Sequence, residues 1–283
     1  MSIPDKILDG IDRLEPLPIT VQKLVVALNS QSMDFNEIAK TIEYDGAITS
    51  NILRTANSAA FAGRTRIETA RDAVVRLGTV TLLDLVLIGY LKSIKIAAPL
   101  YDLTEDDLWL HGATASLAVK AIVKETRNRK IPEAANIAAL IHDIGKLIMV
   151  RYLKVDAATV LNLCEEKGLT FVEAESDLIG CNHAEVGGAI AHKWSFPEPI
   201  TLAIERHHEA EPKDPDLMLD VVVLANLTAK TVGVGLGAAG MNYRADIAGA
   251  KTRTGLTAEG FERVCIQTAA WVQDLKYSYG YRN

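Results

Sequence analysis

Apolar positions recur along this chain at three- and four-residue steps. Ile38 and Ile42, then Ile48, Ile52 and Leu53, follow that spacing. Ala73, Val74 and Leu77, followed by Leu82, Leu83, Val86 and Leu87, do the same. At about 100° per residue each set falls on one face, the pattern of an amphipathic helix. No long alternation of apolar and polar residues with β-branched enrichment occurs. The short run Val221-Val222-Val223-Leu224 lies inside a longer apolar helical window and reads as buried helix. The expected fold is therefore all-α.

Helix breakers divide the pattern. Pro16 and Pro18 flank the first break, and Pro99 ends another helical stretch. Thr104-Glu105-Asp106-Asp107 has the form of an N-cap with an acidic first turn. These signals predict an N-terminal helical subdomain over residues 1–100 and a second helical domain over 101–283. Glu209 to Asp216, with two prolines, predicts a loop, and the glycine-rich stretch Gly233 to Gly240 a flexible one. Thr257 to Lys276 predicts a terminal helix capped by Thr257, with Glu259 in its first turn.

Composition narrows the class. The 283 residues are 49% hydrophobic and 23% charged, an ordinary globular balance. A net charge of −6 offers no overall attraction to nucleic acid or to an anionic membrane surface. Arg127, Arg129 and Lys130 form the densest basic cluster, short enough to be a solvated loop. Cys164, Cys181 and Cys265 are odd in number and widely spaced, as in a reducing compartment. No charged-then-apolar leader opens the sequence, and no uncharged run reaches the ~18 residues of a membrane span. A cytoplasmic location is expected.

The informative chemistry lies between Ala138 and Val150. The stretch predicts a buried helix, apolar on nearly every face, yet it holds His142, Asp143 and Lys146. Burying such groups unpaired costs several kcal/mol. Two readings resolve that cost: an Asp143–Lys146 ion pair with a hydrogen-bonded histidine, or a metal site. The other histidines bear on the choice. His111 opens a helical stretch, with Asp107 four residues earlier on the same face as a possible further ligand. His183 leads another stretch, and His207 and His208 are adjacent near a helix end. Neutral imidazoles and carboxylates are the ligands of zinc, iron and manganese, and helical bundles gather them from several helices. His192 falls on the opposite face from His183 and is left outside the set.

His111, His142-Asp143 with Lys146, His183 and His207-His208 resemble the HD-domain metalloenzymes, particularly their HD-GYP branch. The N-terminal half resembles the HDOD variant of that superfamily. The stretches concerned are Leu14-Glu-Pro-Leu-Pro18, Ile42-Glu-Tyr-Asp45-Gly-Ala-Ile-Thr49, Leu53-Arg54-Thr-Ala-Asn57-Ser58-Ala-Ala-Phe61 and Ala73-Val-Val-Arg-Leu77-Gly78. Together they cover roughly residues 12 to 230. The resemblance implies an HD-type helical bundle preceded by an N-terminal helical subdomain, and a regulatory role in bacterial signal transduction. It implies one or two divalent transition-metal ions (iron, manganese or zinc) held by His111, His142, Asp143, His183, His207 and His208. Asp143 and Lys146 would carry any phosphohydrolase chemistry. HDOD proteins resemble HD domains that have lost ligands; this chain keeps more of them.

Two departures stand out. No Gly-Tyr-Pro stretch follows His208-Glu209, and Asn226 stands where the HD enzymes place a metal-binding aspartate. An amide oxygen is a neutral, weaker ligand. Three functions follow as alternatives: a regulatory module with a retained metal site, a metal-dependent phosphohydrolase or phosphodiesterase of reduced activity, and a nucleotide sensor without turnover. The expected partners are signalling proteins or a small phosphate-containing ligand. Gly235-Leu-Gly237-Ala-Ala-Gly240 fits a dinucleotide fingerprint only by spacing, since a helix precedes it. Asn57-Ser58 reads as a helix-ending turn, and Trp109, Trp194 and Trp271 as core anchors.

Overall fold

The computed structural model describes residues 3–14, 16–29, 34–57, 65–93, 99–104, 106–152, 156–238, 240 and 244–278. Ser58, Phe61 and Glu105, singled out above, lie outside them. No β-strand occurs among the described residues, and the fold is all-α as the periodicity predicts.

The chain divides into two compact units, a small one of residues 15–94 with 193–197 and a large one of residues 1–14, 95–192 and 198–283. The break at 94/95 precedes the one expected near residue 100. The first 14 residues belong to the large unit, where helix α1 (Asp5–Asp12) packs on the helix Lys146–Tyr152. Periodicity marks where helices are but not which core a terminal one joins.

The small unit holds α2 (Ile19–Asn29), α3 (Phe35–Glu43), α4 (Gly46–Ala56) and α5 (Ala70–Ser93). Helices α2, α3 and α4 pack on α5 around Leu24, Ile38, Ile42, Ile52, Val74, Leu82, Leu83 and Leu87, all buried. Each such side chain contributes about 1.5–3 kcal/mol. Asp34 caps α3 by accepting from the backbone N–H groups of Asn36 and Glu37. The Asn57 side chain bonds both N–H and C=O of Ile67, tying the end of α4 to the residues before α5. Helix α5 kinks at Gly78, whose φ of 73° lies in the left-handed region. Residues 70–91 are long and apolar enough to cross a membrane, but half of that stretch is buried inside the protein, as in a core helix. Trp194 is buried and meets Tyr90 edge-on at 6.4 Å.

The large unit contains α1 and a 3-10 turn Pro99–Tyr101, then α6 (Asp107–Thr126), α7 (Ala135–Ile141), α8 (Lys146–Tyr152), α9 (Ala157–Lys167) and α10 (Phe171–Ile179). It continues through α11 (His183–Lys193), α12 (Glu198–Arg206), α13 (Leu217–Thr231), α14 (Ile247–Thr254) and α15 (Ala258–Ser278). Helix α11 ends in the small unit by one residue. Helices α6 and α13 form the core pair, with α7, α12, α14 and α15 packed around them. Thr170 and Glu173 make a capping box at α10, Asp216 caps α13, and Thr257 accepts from Gly260 N–H at the start of α15. The run Val221–Leu224 is buried helix, as expected.

Candidate metal centre

The segment around His142 departs from the continuous helix its apolar pattern predicts. Helix α7 ends at Ile141, residues 142–145 form a tight turn, and α8 starts at Lys146. Backbone N–H groups of Ile144 and Lys146 bond carbonyls three residues back, at Ile141 and Asp143. The cause is close packing on α11. A Cβ on Gly145 would collide with the His183 carbonyl and come within 2.7 Å of Gly187 N. The turn therefore sits against the first residues of α11 and brings His142, Asp143 and His183 together.

Five imidazoles surround Asp143. Its Oδ2 lies 3.6 Å from His111 Nε2 and 3.5 Å from His142 Nε2. Its Oδ1 lies 3.2 Å from His183 Nε2 and 3.8 Å from His207 Nε2. His208 Nε2 is 3.2 Å from His183 Nε2. The six residues named from the sequence thus meet at one place, delivered by α6, the 142–145 turn, α11 and the end of α12. Lys146 Nζ bonds Asp143 Oδ2 at 2.6 Å, so the ion pair and the histidine cluster coexist. Asp107 does not join them. It starts α6 and accepts from Thr104 N–H and hydroxyl at 2.7 and 2.6 Å, as a helix-start bond at the surface. His192 is exposed.

The imidazoles are oriented from behind. Nδ1 of His111 lies 2.8 Å from the Val234 carbonyl, that of His142 2.7 Å from Ala139, and that of His207 2.6 Å from Ile204. A carbonyl only accepts, so each Nδ1 carries the proton. In the neutral ring Nε2 is then a bare lone pair. All three of those Nε2 atoms are buried without a hydrogen-bond partner among the described residues. Burial also keeps these rings neutral. It pushes His111 down to about 3, lowers His142, and takes His207 and His208 well below the ordinary histidine range.

His183 is different. Its Nδ1 is 2.7 Å from Glu175 Oε2, which also accepts from the His183 backbone N–H. Burial works to lower this ring, but the Glu175 and Asp143 carboxylates outweigh it and raise His183 above its ordinary value. For Asp143, burial works upward and is overcome by Lys146 and the histidines, which hold the carboxylate well below its usual range.

Several site residues were not named from the sequence. Glu175 on α10 is buried behind His183. Tyr101 is buried, with its ring 5.2 Å from Lys146 Nζ and edge-on to His183 at 6.1 Å. Lys230 on α13 is 5% exposed, and burial brings it down to about 8. It interacts electrostatically with Lys146, Asp143, Glu175 and His208. Asn226, which the sequence did single out, lies one turn earlier on the same face of α13, with its Oδ1 buried and unpartnered among the described residues.

The glycine-rich stretch after α13, expected as a flexible loop, is built into the centre. Val234 supplies the carbonyl behind His111, and Ala238 N–H bonds the Tyr101 carbonyl. Gly235 has φ 62°, and a Cβ there would stand 2.6 Å from the His111 Cβ.

The donor set fits a transition metal. His111, His142 and Asp143 could hold one ion, and Asp143, His183, His207 and His208 another, because each set's ligand atoms lie within 4.8 Å of one another. A single lysine cannot satisfy three unpartnered imidazole lone pairs, whereas a cation at Asp143 would.

Comparisons with known proteins agree with this architecture. The HDOD domain pattern matches residues 14–210. An uncharacterized protein of Treponema pallidum (strain Nichols) is 24% identical over an alignment of 229 residues that covers 79% of this chain; the chain spans 44% of that relative's length. The solved structure of a candidate phosphohydrolase from Shewanella amazonensis SB2B is 21% identical, with 93% of this chain and 98% of that one covered and a TM-score of 0.62. A candidate signal transduction protein from Marinobacter aquaeolei VT8 is 18% identical, covers 98% of this chain and 65% of its own, and has a TM-score of 0.67. The two structural likenesses show the fold, and the matched pattern spans well over half the sequence. This chain belongs to the HDOD domain family.

Proposed function

We propose that the chain is a signal-transduction module whose histidine–aspartate centre holds one or two divalent transition-metal ions and binds a phosphate-containing ligand. The observation that carries this is the set of three buried, unpartnered Nε2 atoms around Asp143, each ring turned by a carbonyl behind it. Such support behind an imidazole fixes its tautomer and orientation for a metal. The ligands would be His111, His142 and Asp143 on one side and Asp143, His183, His207 and His208 on the other. Iron, manganese and zinc all suit this set.

When bound, such an ion polarises a phosphate oxygen and lowers the pKa of water. The chain's own residues supply the rest. Glu175 orients His183, and Lys146 presents an ammonium beside Asp143, where negative charge on a phosphate would be met. Hydrolysis of a phosphoester is the chemistry these groups suit, as the phosphohydrolase name of the Shewanella relative suggests. Binding without turnover is the second reading, favoured by Asn226 in place of a carboxylate. A cytoplasmic module that acts on protein partners or a small ligand, rather than nucleic acid or membrane, accords with the net charge of −6 and the three free cysteines.

The test is calorimetric titration of inorganic phosphate into protein loaded with manganese, iron or zinc, with a parallel screen for phosphoester hydrolysis. Metal-dependent phosphate binding that disappears in His142→Ala is expected. Phosphate binding indifferent to metal would contradict the proposal.

A further inference from the structure

Lys146 is buried, and its ammonium stands between two unlike neighbours. Nζ bonds Asp143 Oδ2 at 2.6 Å and lies over the Tyr101 ring, 5.2 Å from the centroid. All three residues belong to the large unit. Asp143 Oδ2 is also the oxygen turned toward Nε2 of His111 and His142, at 3.6 and 3.5 Å. The oxygen that pairs with Lys146 is therefore the one nearest the two imidazoles with which Asp143 could hold an ion. With a divalent cation there, the ammonium would lose much of that oxygen's charge and be repelled by the ion. A ring face is a different partner. It attracts an ammonium through its quadrupole and offers no lone pair to a transition metal.

Tyr101 is held in a fixed place. It is fully buried at the end of the 3-10 turn Pro99–Tyr101. Its ring packs against Phe171 at 5.7 Å and edge-on to His183 at 6.1 Å. Its carbonyl accepts from Ala238 N–H at 2.6 Å. Gly237 comes so near that a Cβ would collide with the same carbonyl, and its φ of 49° lies in the left-handed region. The glycine-rich stretch thus fixes the backbone of Tyr101, while Phe171 and His183 fix its ring. A ring held on several sides defines where the flexible lysine head rests.

We propose that Tyr101 is the positioning residue for Lys146: its ring face keeps the ammonium beside the centre when Asp143 turns its charge to a cation, and that placement sets the affinity for a phosphate group. This rests on the metal-centre reading above and deepens it by naming what aims the lysine at the phosphate. The contact is made by the ring and not by the hydroxyl. Phenylalanine should therefore serve in its place, and an aliphatic side chain should not.

The experiment uses manganese-loaded full chain, with metal content measured on every sample and inorganic phosphate as the calorimetric titrant. Tyr101→Leu should weaken phosphate binding about tenfold at unchanged metal content, the scale of one desolvated cation–π contact. Tyr101→Phe, which keeps the ring face, should stay within about twofold of the parent. Two further measurements separate positioning from packing. In a Lys146→Met background, itself weaker for phosphate, Tyr101→Leu should cost nothing more. Phenylalanines carrying successive ring fluorines at position 101 should weaken phosphate binding stepwise, because fluorine drains the ring's quadrupole at nearly constant shape. A loss in Tyr101→Phe equal to that in Tyr101→Leu, a full loss that persists without Lys146, or a flat fluorine series would overturn the proposal while leaving the metal centre standing. A parent that takes up no metal, or that binds phosphate regardless of metal, would bring down the metal-centre reading, and this proposal with it. If Tyr101→Leu fails to fold by circular dichroism, the fluorine series decides the matter.

Discussion

The two sides of the histidine cluster are wired to the protein in different ways. His111 and His142 lean on peptide carbonyls, which fix the ring and its tautomer but add no charge. His183 leans on Glu175, a buried carboxylate that adds negative charge and makes the imidazole more basic. Asp143 faces both sides, one oxygen each. The difference divides the proposed metal centre into two halves that meet at Asp143 and are supported by separate elements. One half depends on the glycine-rich stretch after α13, the other on α10. The Glu175 half carries more negative charge and should take up a cation first.

Removing the shared ligand should have the largest effect. Asp143→Ala is expected to abolish metal binding in both halves, read as metal per chain after equilibrium dialysis. Retention of one ion would show that the halves share less than the geometry indicates. Glu175→Gln comes next. Loss of a supporting carboxylate typically costs about 10–100-fold in metal affinity. Here the loss should fall on one equivalent only, in a calorimetric titration that resolves two. Equal weakening of both would erase the distinction between the halves.

Gly235→Ala probes the opposite side. The new Cβ would press on His111 and would sit at a positive φ. We expect about tenfold weaker binding of the other equivalent and about 1 kcal/mol lower stability in urea unfolding. Combined with Glu175→Gln, the two effects on affinity should depart from simple addition, because His111 and His183 both face Asp143. The smallest change is expected for Asn226→Asp. A restored carboxylate near the cluster should tighten metal binding several-fold through added Coulomb attraction. Affinity no better than the parent's would mean that Asn226 does not border the cation.

Much of this was legible in the sequence. The apolar periodicity of α5 and α13 gives the all-helical fold; His142, Asp143 and Lys146 in an apolar stretch point to a centre, and the resemblance to HD domains adds His111, His183, His207 and His208 to it. The supporting groups were harder to read for physical reasons. Glu175 is one of three acids at alternating positions in α10, with Glu173 and Asp177, and only tertiary burial separates it from the other two. Lys230 did leave a signal: it is a charge in an apolar helix, the same argument that singled out Lys146. The glycine-rich stretch was misleading because glycines permit flexibility and close packing alike, and here Gly235 serves close packing against His111. The turn at 142–145 was hidden because the residues flanking it, Lys146 apart, are apolar, which suits a continuous helix equally well. Asp107 shared a helical face with His111, but its carboxylate closes the start of α6 instead.

The most direct test of the central claim is an anomalous difference map from crystals grown with manganese. One or two peaks beside Asp143, each ~2 Å from Nε2 atoms of the surrounding histidines, are the predicted result. A map with no peak at Asp143, or with manganese bound only elsewhere on the chain, would contradict the account.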